Sequence, residues 1–441
     1  MDKIIENIKR IVDDSSFVVI SKEVSDNCVI GYGTVCGKLL YVISDTGKFI
    51  DEMYLKKVKQ IYELAIKTGA PIVYIIDNQG LKLDDNVKAL SYYGDIIKLQ
   101  TKASGIIVQI AVVSGACMGG SSVIANNCDF IFLDKNKAKL WSVLPISIKE
   151  NIDDSTSQAE LIQKSMMVDG IYDENELFTK VHELIDYLPS NFIDNDTYEE
   201  TEDDINRQTT NINSKKIIDF VPEIADDNNV FELKKVFAEG LYTAFIKLNG
   251  QTIGVMANCC DQKHVCKSQL MKMKKFITFL DSFSIPLLTI ADANSFCVKD
   301  NDDQDISLFA SKAAFTFANA TIPKVTLVRE AVGIPGLIMG SKSLGADLVY
   351  AYKSSKMSVM DLKVEAGLIY KDEIDKSNDK LKTLDEKTKE LEKSNDIIKA
   401  LKDYAIDDII DESATRQMLV SAFELLFTKR EERPAKKHNS F

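Results

Sequence analysis

The sequence predicts an α/β protein built from two tandem copies of one domain, each with packed β-sheets surrounded by helices. Short apolar runs bounded by proline or glycine alternate with longer segments of helical period. These elements recur at a nearly constant separation of about 215 residues. The chain has 441 residues, of which 45% are hydrophobic and 27% charged, an ordinary globular composition with length for two or three domains.

The elements support this in order. IGYGTVCGKLLYVIS (Ile30–Ser44) reads as a hairpin around Gly37, and AFIKLNGQTIGVMAN (Ala244–Asn258) as another around Gly250. Leu55, Val58, Tyr62 and Ala65 mark one buried helix face; Leu270, Met273, Ile277 and Leu280 repeat its steps. Each helix precedes an apolar strand running from proline to aspartate, Pro71–Asp77 and Pro286–Asp292. Each half then offers a second helical stretch, a second strand and a small-residue turn, ending at GACMGG (Gly115–Gly120) or AVGIPG (Ala331–Gly336). Both close on an aspartate-led strand, Asp129–Leu133 and Asp347–Ala351. The expected division is a first domain at 1–190, a polar linker at 191–228 and a second domain at 229–441. A charged helical insertion is expected at 371–411, where Leu381, Leu384, Leu391 and Ile398 recur with Thr388 and Asn395 in the gaps.

Acidic residues outnumber basic ones 67 to 54, for a net charge of −13. Such a surface repels phosphate backbones and anionic lipid, so nucleic-acid binding and membrane insertion are not expected as the main role. Met1–Asp14 is charged and amphipathic without a signal-peptide core, and eight cysteines form no disulfide framework. A cytoplasmic protein with reduced thiols is expected.

Side chains for acid–base or nucleophilic chemistry are scarce. The three histidines, His182, His264 and His438, stand in no triad or zincin pattern. Cys259, Cys260, His264 and Cys266 lack metal-site spacing, and no metal is expected. MKMKK (Met271–Lys275) superficially resembles a biotinylation site but lies within the second-half helix. What remains is glycine. Gly119 and Gly120 open a helix after a buried strand, where unshielded N–H groups and the helix dipole favour negative charge, the makings of an oxyanion hole. The same glycines would equally let a helix pack closely on a sheet.

These strings resemble the carboxyltransferase subunits of biotin-dependent acyl-CoA carboxylases, transcarboxylases and decarboxylases, from about Val29 to the tail. The similar pieces include KTGAPIVYIID, ASGIIVQIAVVSGACMGG and CDFIF in the first half. The second half contributes FLDSFSIPLLTIAD, ATIPKVTLV and GSKSLGADLVYAY, and the tail ATRQMLVSAFELLFTKREERPAKKH. The resemblance implies two tandem crotonase-like domains and carboxyl transfer between carboxybiotin and a short-chain acyl-CoA such as acetyl-, propionyl- or methylmalonyl-CoA. It implies biotin on a separate biotin carboxyl carrier protein, a partnering biotin carboxylase or membrane decarboxylase subunits, and a trimer of dimers whose sites lie between subunits. It also implies two pairs of backbone N–H groups, one for the thioester enolate and one for the biotin ureido oxygen. The first maps onto Gly119 and Gly120, the second onto the turn holding Gly333 and Ile334. Gly80 and Gly336 are the implied cofactor-binding positions.

Some pieces depart from the family pattern: DTGKFIDEM (Asp45–Met53), DNQG (Asp77–Gly80) and NSF (Asn294–Phe296). Reading back from Lys342 places Ile334 and Pro335 at the second pair, and proline has no N–H, so Gly333 or Gly336 would have to substitute. Two alternatives therefore stand beside the transferase: a catalytically weakened structural or regulatory paralogue, and a biotin-independent crotonase-type reaction. The latter needs a carboxylate base that the sequence does not identify.

Overall fold

A computed structural model describes residues 2–20, 26–82, 84, 87–141, 165–166, 168–194, 198–297, 303–394 and 397–432. The chain divides into two compact units, Met1–Thr197 with Leu233–Phe237, and Tyr198–Glu232 with Ala238–Phe441.

The first unit begins with helix α1 (Asp2–Lys9) and strands β1 (Val18–Ile20), β2 (Cys28–Val35) and β3 (Lys38–Asp45). Then come α2 (Glu52–Thr68), β4 (Ile72–Ile76), α3 (Val87–Ala103), β5 (Gln109–Val113), β6 (Ala116–Met118), α4 (Gly120–Asn126), β7 (Phe130–Asp134), β8 (Lys139–Trp141), β9 (Gly170–Tyr172) and α5 (Glu174–Tyr187). The main sheet has the order β1-β2-β3-β4-β5-β7-β9, and β6 pairs with β8 in a small second sheet. The pairs β1/β2 and β2/β3 are antiparallel; from β3 onward every pair is parallel. The first hairpin turns at Cys36 and Gly37, both with positive φ (48° and 77°), as a two-residue turn between twisted strands requires. β4, β5 and β7 are buried along their whole length, which is why they read as unbroken apolar runs rather than alternating ones. α2 is capped by the Asp51 side chain, which accepts from Tyr54 N–H, and by Gly69 in the left-handed conformation.

The second unit repeats the plan. After α6 (Ile217–Ile224) come β10 (Val230–Glu232), β11 (Leu241–Leu248), β12 (Gln251–Asn258), β13 (His264–Val265), α7 (Lys267–Ser282), β14 (Leu287–Ala293), β15 (Ser295–Phe296), α8 (Asp303–Asn319), β16 (Lys324–Val332), α9 (Gly333–Ile338) and β17 (Leu348–Ser358). The chain continues through α10 (Leu362–Ile369), α11 (Lys371–Lys376), α12 (Lys380–Ser394), α13 (Ile397–Lys402), β18 (Asp408–Ile410) and α14 (Thr415–Leu426). The sheet order, β10-β11-β12-β14-β16-β17-β18, matches the first unit strand for strand; the ends of β16 and β17 (Glu330–Val332 with Lys356–Ser358) pair in parallel as β6 does with β8, and β13 pairs with β15 in a further small sheet. The repeat extends to single side chains. Lys57 on α2 and Lys272 on α7, 215 positions apart, are both buried, and each donates to a carbonyl of the first hairpin strand, Cys28 O at 2.8 Å and Leu241 O at 2.7 Å. Lys272, the first lysine of MKMKK, is thus a structural residue of the helix–sheet interface.

The stretch before β10 belongs to the second unit, where Ile212 and the α6 residues Ile217, Phe220, Val221 and Ile224 are buried in the core and charged contacts tie down its polar part. Arg207 bonds both oxygens of Asp203 and also donates to Glu223 O and Ala225 O. Around residues 371–411 the charged helices are joined by ion pairs: Lys363 of α10 with Asp385 of α12, and Lys387 of α12 with Glu373 of α11. Leu391 is buried in α12 while Leu381 is 73% exposed, so the spaced leucines do not form one continuous seam. Asn395 lies outside the described residues. Among the described residues no helix is long and apolar enough to cross a membrane.

Candidate active site

In each unit the chain leaves a strand, turns at a glycine with positive φ and enters a short helix. Gly119 has φ 59° before α4; Gly333 has φ 60° at the start of α9. Only glycine takes this backbone conformation without strain. Each glycine follows the last paired residue of its strand, Met118 opposite Trp141 and Val332 opposite Ser358. Gly333 and Ile334 are therefore the counterparts of Gly119 and Gly120, and Pro335 is the counterpart of Ser121.

The two members of the first pair differ. Gly119 N–H donates to Trp141 O at 2.8 Å, continuing the β6/β8 ladder. Gly120 N–H has no acceptor among the described residues, and it stands at a helix start, where no intrahelical acceptor exists. Gly120 is glycine for a second reason: a Cβ there would lie 2.3 Å from the Tyr93 ring.

Beneath this turn lies a buried polar network that the sequence did not reveal. Asn78 Oδ1 accepts from Ser121 Oγ (2.8 Å) and from Gly80 N–H (3.0 Å), joining the Gly80 loop to the helix that carries Gly120. Tyr93 OH also meets Ser121 Oγ at 3.2 Å. Asn78 Nδ2 donates to Asp45 Oδ2 (2.7 Å), and Tyr54 OH donates to Asp45 Oδ1 (2.6 Å) while contacting the Tyr74 hydroxyl. Asp77 Oδ1 accepts from Ala116 N–H at 2.9 Å and leaves Gly115 no room for a Cβ. Gly80 thus has its N–H engaged by Asn78, and its carbonyl accepts from Ile50 N–H at 2.8 Å.

Burial pushes the Asp45 carboxyl up to about 6 from 3.8, against the opposing effect of its hydrogen bonds from Tyr54, Asn78 and Asp77 N–H. The folded unit then holds this proton between about pH 4 and pH 6, where an unfolded chain releases it. This contribution to stability is full below the unfolded value and is lost as pH rises through about 6. The difference in unfolding free energy between the native protein and Asp45→Asn should shrink by about 2–3 kcal/mol from about pH 4 to pH 7. Denaturant titrations at several pH values measure it, and a pH-independent difference would contradict a perturbed carboxyl.

The second turn opens on a cavity of about 920 Å³ lined by Gly333, Ile334 and Gly336, with Thr326 on β16, Glu365 on α10 and Lys399 on α13. Gly336 closes the turn over its own strand, since a Cβ there would lie 2.5 Å from the Ala331 carbonyl carbon. Thr326 and Glu365 line this cavity, and one oxygen of each, Thr326 Oγ1 and Glu365 Oε2, is enclosed without a hydrogen-bond partner among the described residues. Support for this turn differs from the first. Asp292, the counterpart of Asp77, pairs with Lys263 at 2.8 Å, and Lys263 also reaches Glu330 at 2.6 Å. Burial draws the Lys263 ammonium down, but the bonds to Asp292 and Glu330 outweigh it and raise the net value. No group of three His, Cys, Asp or Glu residues that could hold a metal occurs among the described residues.

The structure thus gathers Gly80, Gly119 and Gly120 around Asn78 and Tyr93, and Gly333, Ile334 and Gly336 around one cavity. Asn78, Ser121, Thr326 and Glu365 escaped sequence reasoning. The only signal for Asn78 was its place after the strand that ends at Asp77.

Known proteins show the same organisation. Residues 4–441 match the family model described as the carboxyl transferase domain. The chain is 30% identical to methylmalonyl-CoA decarboxylase subunit alpha of Veillonella parvula and 32% identical to a putative propionyl-CoA carboxylase beta chain of Bacillus subtilis. Each alignment covers 99% of this chain and 92% of the relative. Transcarboxylase 12S, in a crystal structure with hydrolysed methylmalonyl-coenzyme A bound, superimposes with a TM-score of 0.91 at 27% identity, over 99% of this chain and 92% of that one. With one fold twice in tandem and a glycine turn at the same place in each copy, the chain belongs to the carboxyl transferase domain family, the biotin-dependent acyl-CoA carboxyltransferases.

Proposed function

We propose that this chain is the carboxyltransferase subunit of a multienzyme complex and moves a carboxyl group between biotin on a separate carrier protein and a short-chain acyl-CoA, of the acetyl, propionyl or methylmalonyl type. The observation that carries this reading is the pair of matched turns, Gly119–Gly120 and Gly333–Ile334, which present backbone donors where side-chain acids and bases are scarce. The relatives are named for methylmalonyl-CoA and propionyl-CoA, which supports a short acyl chain. Its partners are a biotin carboxyl carrier protein together with a biotin carboxylase or membrane decarboxylase subunits, and the subunit forms a trimer of dimers.

Biotin supplies the transferable carboxyl group. The chain's own task is to hold two oxygens as negative charge develops on them. Gly120 N–H serves one; Gly333 and Ile334 N–H serve the other. Donors fixed by the backbone need no reorganisation as charge develops, and one such donor is worth about 2.7–4 kcal/mol. Because Gly333 stands in register with Gly119, Pro335 falls one position past the pair. Proline fits the first turn of a helix, where its missing N–H breaks no intrahelical bond.

The second reading, a structural paralogue within such a complex, is favoured by Pro335, which removes the N–H that Ser121 supplies in the first unit. Purified protein mixed with carboxylated biotin carrier and a panel of short acyl-CoAs separates the two. Carboxylated product from one acyl-CoA is the expected result and names the substrate. No turnover from a folded oligomer, beside an active control subunit, would establish the paralogue.

A further inference from the structure

The first unit contains a buried carboxylate to which carboxyl transfer itself gives no role. Asp45 ends β3 and is buried together with Asn78 and Ser121. Three donors converge on its carboxyl: Tyr54 OH at 2.6 Å, Asn78 Nδ2 at 2.7 Å and Asp77 N–H at 3.2 Å. Each neighbour that bonds the carboxyl is a donor, which suits an ionised, acceptor-only group.

The same reasoning fixes the Asn78 amide. Gly80 N–H can only donate, so the Asn78 carbonyl oxygen faces it at 3.0 Å and the amide nitrogen is left to Asp45. That oxygen also accepts from Ser121 Oγ at 2.8 Å. Ser121 has a single hydroxyl proton, so its Oγ accepts in turn from Tyr93 OH at 3.2 Å. The hydrogen bonds therefore run one way, from Tyr93 through Ser121 and Asn78, and end on Asp45. Two members of this series flank Gly120. Ser121 follows it directly, and the Tyr93 ring lies so close that a Cβ on Gly120 would be 2.3 Å from it. Asn78 stands in Asp77–Gly80, a stretch that departs from the family pattern, so this link is not implied by the resemblance.

We propose that Asn78 is a positioning residue for carboxyl transfer, and that the ionised Asp45 carboxylate, acting through Asn78 and Ser121, holds Gly120 N–H on its aim. This rests on the reading of Gly120 N–H as an oxyanion donor.

The hold depends on pH. Burial pushes the Asp45 carboxyl up to about 6. Above that value the carboxylate is ionised and its bond from Asn78 is charge-assisted; below it the bond joins neutral groups and is about half as strong. The titratable groups facing Asp45 are Tyr54 of α2, Tyr74 of β4, Tyr93 of α3, Cys28 of β2, Cys117 of β6 and Asp77. Burial raises the phenols and thiols, which stay neutral through this range, and the Asp77 carboxylate opposes the Asp45 charge. Lys57 and Asp51 act on Cys28, the residue paired with Asp45 across the β2/β3 ladder.

The test is the pH profile of carboxyl transfer from carboxylated carrier protein to acyl-CoA by the full chain. Native kcat should fall about five- to tenfold as pH drops through about 6. Asp45→Asn, fixed in the neutral form, should show the low rate at every pH and lack that limb. Asn78→Ala and Ser121→Ala should each lower kcat about tenfold at about pH 8, with KM within about threefold. The double variant should be no slower than either single one, because both break the same series. Hydrogen exchange over Gly119–Asn126 gives a readout without turnover: protection should fall in Asn78→Ala while α5 exchanges as in the native protein. An acid limb that survives in Asp45→Asn belongs to another group and overturns the role of Asp45. A loss carried by KM alone would tie Asn78 to the Gly80 loop and overturn the positioning role. If Gly120→Ala loses activity while Asn78→Ala and Asp45→Asn keep the native profile, this proposal falls and the Gly120 reading stands. If Gly120→Ala is fully active, or the native protein transfers no carboxyl group, both fall together.

Discussion

Carboxyl transfer by Gly120→Ala is expected to fall by about 10²–10³-fold in kcat, the loss typical of one misplaced oxyanion donor. The added methyl would occupy a point 2.3 Å from two carbons of the Tyr93 ring, well inside van der Waals contact. The ring cannot simply swing aside, because its hydroxyl meets Ser121 Oγ one residue beyond the turn. Either the ring moves and drags Ser121, or α4 lifts from β5; both displace Gly120 N–H. A shift of a few tenths of an ångström in a donor matters because the stabilisation depends on its fixed aim at the developing charge. Steady-state kinetics on carboxylated carrier and acyl-CoA read the effect. The double variant Tyr93→Leu/Gly120→Ala, which makes room for the methyl, should recover at least about tenfold of the loss as a coupled pair. Full activity in Gly120→Ala would remove the first turn from the chemistry.

The largest stability effect is expected at Arg416, on α14. Its side chain is wholly buried, and Nη2 lies 2.6 Å from Asp226 Oδ1 while Nη1 donates to Ile224 O at 2.5 Å. Asp203 lies 3.5 Å from the same guanidinium. Asp226 in turn accepts from Asn249 N–H (3.0 Å) and Gly250 N–H (2.7 Å), the two turn residues of the β11/β12 hairpin. Arg416→Ala leaves a carboxylate buried beside a cavity without its countercharge. Breaking a buried pair from one side costs about 3–5 kcal/mol. Denaturant unfolding of the second unit measures it, and Asp226→Asn in the Arg416→Ala background should restore part of the loss by removing the stranded charge. A loss below about 1 kcal/mol would mean that the guanidinium reaches water in solution, as exposed pairs do.

Arg416 shows where the sequence is silent. It lies in ATRQMLVSAF, a string that marks the family, yet nothing in its spacing says that the arginine faces inward to meet acidic residues about 200 positions earlier. The strands are the opposite case. β4, β5 and β7 were legible because a strand covered on both faces must be apolar along most of its length, and that demand is written locally. The hairpins were legible for a similar reason, since Gly37 and Gly250 each sit where the turn requires positive φ.

The candidate site divides along the same line. Gly119 and Gly333 stood out because a backbone that turns sharply from strand to helix can tolerate little else. Reading back from Lys342 alone put the second pair at Ile334 and Pro335; by φ values and strand ends the counterparts of Gly119 and Gly120 are Gly333 and Ile334. Asn78 and Asp45 reach the first turn only because β3, β4 and the Gly80 loop end side by side. Glu365 comes to the second turn only because α10 follows β17, the strand paired beside β16. Periodicity, turn geometry and a 215-residue repeat are properties of neighbouring residues, so the amino-acid order carries them openly. A buried carboxylate, a guanidinium's countercharge and a cavity lining are made by residues distant in sequence, and they exist only once parallel strands have brought those residues together.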